Sequence, residues 1–228
     1  MTADKICFSA RDGVRLEGLE QTPDAARHVP SGTARSAFSA EVVVTPAVVI
    51  THSHPLQAGG HMYAHVLRAV AVALLQRGFV VLRFNFRGVQ GSAGAFGDGR
   101  DELHDVGGAV DYLHARPHIA PDNIALFGYS FGSRVCLPYA AGDARIRAVA
   151  TLGMPARRFL NAPPAVHLPL LLVAGSADHV IPPEHLGRFL ALYPNASARI
   201  LPGADHFYRG HEAEAGAAVA DFLAGLML

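Results

Sequence analysis

Residues 128–132 read Gly-Tyr-Ser-Phe-Gly, directly after the apolar run Ile-Ala-Leu-Phe at 124–127 and before a helix-forming stretch at 133–141. A serine between two glycines at such a junction constrains the fold more than any other feature of the chain. A strand that turns sharply into a helix leaves no room for side chains where the two backbones cross, and glycine gives that room. The serine then stands at a helix N-terminus, where unpaired N–H groups and the helix dipole favour negative charge. The plainer reading of the pentapeptide is a glycine-rich turn with a capping serine. The rest of the chain decides between them.

Short apolar runs at 47–51, 79–84, 124–127, 146–152, 170–174 and 199–201 predict strands. Between them, 60–77, 101–116, 133–141, 183–192 and 212–226 predict helices, with Gly78 at a cap position and Pro117 beyond another helix end. Residues 5–20 predict two more strands around the turn Asp12-Gly13. Continuous apolar strands alternating with helices argue for an α/β fold: a mostly parallel central sheet of about eight strands, with helices on both faces and an antiparallel edge from the first hairpin. Residues 24–41, rich in Ala, Ser, Pro and Thr without periodicity, predict a mobile insertion. With no repeat and no second core, 1–228 is expected to form one domain. The connection at 153–169 is too short for a large cap domain.

The zero formal net charge gives no long-range field to draw nucleic acid or an anionic membrane. No apolar run approaches the roughly 20 residues of a membrane span. The N-terminal residues lack the basic and apolar segments of a signal peptide, so a cytoplasmic location is expected. Cys7 and Cys136 set no disulfide framework and read as buried free thiols. An exposed edge strand makes a homodimer as acceptable as a monomer.

A serine hydroxyl is a weak nucleophile until a base takes its proton, and the base is usually a histidine held by a carboxylate. No acidic residue lies between Asp143 and Asp178, so the strand ending at 152 supplies none. Asp178 follows the next strand, and His206 follows the last one, both at the strand ends where open α/β sheets place their sites. Glu184 reads as a helix-dipole partner, Asp205 adjoins His206 too closely to face its ring, and His179 is a weaker base candidate. Ser130, Asp178 and His206 are therefore the catalytic candidates. The oxyanion needs two N–H donors: Phe131, after the serine, and Leu56 in the loop after 47–51, with Gln57 behind it because Pro55 has no N–H. His54, Met154, Phe159, Val180 and Phe207 are pocket candidates, ordinary packing being the plainer reading of the apolar ones.

His52 and His54 form an H-x-H, and His61 and His65 have the i, i+4 spacing of one helix face, but no carboxylate accompanies them between Glu41 and Asp98. No metal or cofactor is expected. Arg87 reads as a structural partner of Asp101 or Asp105. Arg157 and Arg158 read as a solvated loop beside the pocket, within reach of a substrate carboxylate or a coenzyme A phosphate.

The stretches HSHPLQAGGHM (52–62), VVLRFNFRGVQGSAGAFGDGRDELHD (80–105), LFGYSFG (126–132), AGSADHVIPP (174–183) and GADHF (203–207) resemble the small, lidless α/β-hydrolases related to dienelactone hydrolase. The chain is most similar to bacterial hydrolases with an HPHP loop, an NFRG turn and a GxSxG elbow. Ser53 departs from the HPHP pattern, Gln90 from a frequent glycine, and the 24–41 segment is longer than expected. The resemblance implies the α/β-hydrolase fold, a nucleophilic Ser130 with Asp178 and His206, and hydrolysis of ester-like bonds. The expectation is thus a serine hydrolase acting on carboxylic esters or thioesters of small substrates. Acyl transfer, cyclisation or lyase chemistry by the same triad is one alternative. A non-catalytic binding protein on the same fold is the other, and a broken triad would be its sign.

Overall fold

The computed structural model describes residues 2–24, 44–57 and 59–228; all but Asp24 of the expected insertion lies outside them. Strands β1 (Thr2–Ser9), β2 (Arg15–Thr22), β3 (Thr45–Thr51), β4 (Val80–Phe84), β5 (Ile119–Tyr129), β6 (Ile146–Leu152), β7 (Leu170–Gly175) and β8 (Ala196–Leu201) form one eight-stranded sheet in the order β1-β2-β4-β3-β5-β6-β7-β8. β1 and β2 pair antiparallel with each other, β2 pairs antiparallel with β4, and β3 to β8 run parallel. This is an α/β-hydrolase fold without a large cap.

The continuous apolar runs are explained by two cores, one on each face. Along β3, Ala47 and Val49 face one core while Val48 and Ile50 face the other. Helices α1 (His65–Gln76) and α5 (Glu212–Met227) cover the second core with Val66, Leu67, Val70, Leu74, Val219 and Leu223. Helices α2 (Glu102–His114) and α3 (Phe131–Ala140) cover the first with Val106, Val110, Leu113 and Val135. At the end of α1, Gly78 adopts φ +92, with its N–H bonded to Leu75 O and that of Phe79 to Leu74 O, the paired bonds of a Schellman cap.

Several features depart from the sequence expectation. α1 begins at His65, not Gly60, because the preceding turn spends its backbone elsewhere. A Cβ on Gly60 would lie 2.0 Å from the His54 carbonyl oxygen. The Met62 N–H donates to Asn85 Oδ1 at 2.7 Å, and Arg83 donates to the Met62 carbonyl at 3.1 Å. The expected helix at 183–192 is a 3₁₀ turn, Pro183–His185, followed by a short α4, Leu186–Leu190; its exit is set by Tyr193, whose ring stacks on Phe189 and whose hydroxyl donates to Pro164 O. β5 starts earlier, at Ile119, but a register break separates Ile119 from the regular ladder beginning at Ile124. Cys7 is exposed, because it lies on the edge strand β1, whereas Cys136 is buried and its thiol is pushed up to about 12 by burial.

Candidate active site

The turn from β5 into α3 places Ser130 at φ 50, ψ −109, a conformation few non-glycine residues adopt and one that stores roughly 1–3 kcal/mol. Its neighbours explain how this is held. A Cβ on Gly128 would fall 2.4 Å from the Ser133 backbone, and one on Gly132 would fall 2.4 Å from Thr51 Oγ1. The Ser130 N–H donates across to Leu152 O at 2.8 Å. Phe131 opens the helix, so its N–H has no partner within it.

Ser130, Asp178 and His206, far apart in sequence, meet here. His206 Nε2 lies 3.1 Å from Ser130 Oγ, and His206 Nδ1 lies 2.8 Å from Asp178 Oδ2. The other carboxylate oxygen of Asp178 accepts the N–H groups of Val180 (2.9 Å) and Ile181 (2.7 Å). With Asp178 as acceptor, the ring proton sits on Nδ1, and Nε2 is free to accept from the serine. Asp205 instead turns back to accept the Phe207 N–H at 2.9 Å.

Sequence reasoning missed what holds His206. Tyr129, next to the serine, donates to the His206 carbonyl at 2.9 Å. His65 Nε2 pairs with the Phe207 carbonyl at 2.9 Å. Tyr208, fully buried at φ 56, donates to Val173 O at 3.3 Å. A Cβ on Gly153 would stand 3.0 Å from His206 Cε1, so only glycine leaves the ring its place. Glycines after strands and an aromatic two residues past the histidine were the signals available.

The loop after β3 is pinned by His52, which is fully buried. Its Nδ1–H donates to Ser53 O at 2.7 Å, and its Nε2 accepts the Phe86 N–H at 3.0 Å. Burial lowers its pKa to about 4, so the ring is neutral. With both nitrogens engaged, His52 is no ligand in an H-x-H pair. His61 lies in the turn before α1, where its Nδ1 accepts the Tyr63 N–H, so it shares no helix face with His65. Leu56 also departs from expectation. Pro55 turns the chain so that the Leu56 N–H donates to His54 Nδ1 (3.2 Å) and the Gln57 N–H to His54 O (3.1 Å). Neither amide is left for an oxyanion.

Two clefts are bordered by the loops that carry these residues. One, of 230 Å³, is lined by His206, Phe207, Tyr63, His61, Ser53 and Gln57 among others. The other, of 300 Å³, lies between Pro155, Arg157, Val180, Ile181, Glu184 and His185. Phe207 and Val180 thus border different clefts, and the His54 ring packs at a tilt against Phe96 and edge-on against Phe131. Met154 and Phe159 border neither; they are buried in the core on the α3 side, Phe159 against Phe189. Arg87 is buried too, bound to Asp105 (2.7 and 2.9 Å) and to Asp12 (2.9 and 3.0 Å), with Asp101 at 4.0 Å. It is a structural cation.

Known proteins share this fold. A protein from Xanthomonas campestris, described as an α/β serine hydrolase without lid, superposes with a TM-score of 0.80 at 24% identity, covering 100% of this chain and 96% of its own. An α/β serine hydrolase homologue from Coxiella burnetii gives a TM-score of 0.78 at 26% identity over 97% of each chain. Among sequence relatives, an uncharacterized Rickettsia prowazekii protein is 29% identical over 191 residues, 78% of each chain. The profile of the X-Pro dipeptidyl-peptidase (S15) family matches residues 12–161, which include β2 to β6 and the elbow. The chain is a serine-hydrolase-like α/β protein and belongs to the X-Pro dipeptidyl-peptidase (S15) family within the α/β-hydrolases.

Proposed function

We propose that this protein is a serine hydrolase cleaving carboxylic ester or thioester bonds of small substrates. The observation that carries the proposal is the unbroken line from Ser130 Oγ through His206 to Asp178, at 3.1 and 2.8 Å. In this reading Nε2 of His206 takes the hydroxyl proton as Ser130 Oγ attacks the carbonyl carbon. Asp178 fixes the ring's tautomer and stabilises the imidazolium. The tetrahedral oxyanion rests on the Phe131 N–H and, in place of Leu56, on the N–H of His54. His54 lies against Phe131, and its N–H finds no acceptor among the described residues. His206 then protonates the departing alcohol or thiol, and water releases the acyl group by the same sequence. Every step uses the chain's own residues and water.

A second reading, cleavage of peptides after an X-Pro unit, is favoured by the family match. That match ends at residue 161, before Asp178 and His206. Parallel assays on an X-Pro nitroanilide and a short-chain nitrophenyl ester separate the two. The mechanism itself is tested by intact mass after treatment with a fluorophosphonate, for wild type and Ser130→Ala. A single adduct on the wild type, mapped to 128–132 and absent from the variant, is expected. No adduct on folded wild-type protein would sink the proposal.

A further inference from the structure

The cleft that contains His206 is walled by polar side chains that the fold leaves without partners. Ser53, only 9% exposed, lines it with a hydroxyl that makes no hydrogen bond among the described residues. The same holds for the Gln57 amide and the Tyr63 hydroxyl. His61 accepts the Tyr63 N–H at Nδ1 (3.1 Å), so its ring proton sits on Nε2, and that N–H also has no acceptor among the described residues. Buried polar groups are normally paired, so a buried unpaired hydroxyl beside a reactive imidazole points to a ligand.

The backbone beneath these groups is already engaged. Gln57 donates its N–H to His54 O (3.1 Å) and accepts that of Gly60 (2.9 Å). Met62, between His61 and Tyr63, is tied to Asn85 at 2.7 Å and to Arg83 at 3.1 Å. The free donors and acceptors are thus carried on a fixed chain before a ligand arrives, which lowers the entropy lost on binding.

Tyr63 and Phe207, 37% and 46% exposed, add aromatic rings to the walls. No lysine, arginine or carboxylate is among the described lining residues. Arg157 belongs to the other cleft, and Arg209, whose guanidinium lies 5.7 Å from the centre of the Phe207 ring, is not a wall residue. Such walls match a ligand that is neutral, rich in hydroxyls and apolar on its ring faces. A sugar ring has that combination, with hydroxyls at its rim and C–H groups on its faces. At 230 Å³ the cleft is smaller than the roughly 300–1,000 Å³ of sites for drug-sized ligands, and it suits one ring.

Its position assigns that ring to the leaving half of a substrate. In the proposed mechanism His206 protonates the departing oxygen, so the departing group has to lie against His206, and this is the cleft that His206 lines.

We infer that the cleft binds a monosaccharide as the alcohol half of the ester, with Ser53, Gln57, His61 and Tyr63 reading its hydroxyls, so that the preferred substrates are O-acyl sugars. This deepens the proposed function and rests on it.

The test compares three butyrate esters: methyl glucopyranoside acylated on its primary hydroxyl, cyclohexylmethyl butyrate and benzyl butyrate. They share one acyl-enzyme, so a general effect on Ser130 cancels in the ratio of their kcat/KM values, each divided by its rate with hydroxide. Wild type should prefer the sugar ester to the cyclohexylmethyl ester by about tenfold, the worth of one or two neutral hydrogen bonds. The preference should not change with salt, because no charge carries it. Ser53→Ala/Gln57→Ala should lose most of it, and Tyr63→Phe, which removes one hydroxyl from an exposed ring, should lose about two- to fivefold. Equal corrected rates, a preference for the benzyl ester, a preference that falls with salt, or one that survives in both variants would overturn the inference and leave the hydrolase reading intact. Failure of Ser130 to take up the fluorophosphonate would remove both.

Discussion

His52 gives the sharpest physical prediction, because it is buried, neutral and bonded at both ring nitrogens. In the unfolded chain the imidazole titrates near 6.5, and in the fold near 4. Above 6.5 neither state binds the proton and the group contributes no pH dependence. Between 6.5 and 4 only the unfolded chain binds it, so stability falls as pH falls; below 4 the loss is complete. At 1.36 kcal/mol per unit, the full loss is roughly 3 kcal/mol. Burial of the ring accounts for the resistance to charging, and protonation would also turn the Nε2 acceptor into a donor facing the Phe86 N–H. Replacing His52 by Leu removes the titration and leaves that N–H unpaired, costing about 2–3 kcal/mol at neutral pH. Urea unfolding followed by far-UV circular dichroism, on both proteins from about pH 7.5 to about pH 4.5, should show the gap closing by most of this amount. Other titrating groups occur in both proteins and cancel in the difference. A gap of constant size across the range would refute the assignment of a neutral, doubly bonded His52.

Gly153→Ala should place a methyl group 3.0 Å from His206 Cε1, on a backbone at φ +57. A cost of about 1–3 kcal/mol in urea unfolding and a fall of about 100-fold in ester turnover are expected; unchanged turnover would mean that the ring does not depend on this close approach. Arg87→Met leaves the Asp105 carboxylate buried without its cation and should cost about 3–5 kcal/mol. Asp12→Ala removes the half-exposed partner and should cost about 1 kcal/mol or less by the same measurement.

What the sequence made legible follows from what is local. Apolar runs, Gly78 and the hairpin turn at Asp12-Gly13 report their own neighbourhood, and they place the eight strands and the two-faced sheet. Ser130, Asp178 and His206 were legible because each sits at a strand end in a fixed chain order. Features decided by distant partners were not legible. The late start of α1 depends on Asn85 and Arg83 taking the backbone of Met62. The second partner of Arg87 is Asp12, on the hairpin turn after β1. The bond of the Leu56 N–H was not legible either, because its acceptor is a side-chain atom two residues back, His54 Nδ1. Met154 and Phe159 looked like pocket residues from position alone, and only packing against Phe189 and its neighbours shows that they are core.

The loop after β8 shows a division of labour between chain connectivity and anchorage. β8 is an edge strand whose side chains are mostly exposed, yet the loop it feeds is moored by Tyr129 on β5, His65 on α1 and the buried Tyr208 reaching β7. His206 is thus covalently tied to the periphery but mechanically tied to the centre of the sheet. Drift in the sequence of β8 and of the short helix before it can accumulate without moving the imidazole, so the rim of this fold is free to diversify while the His206 ring keeps its place beside Ser130.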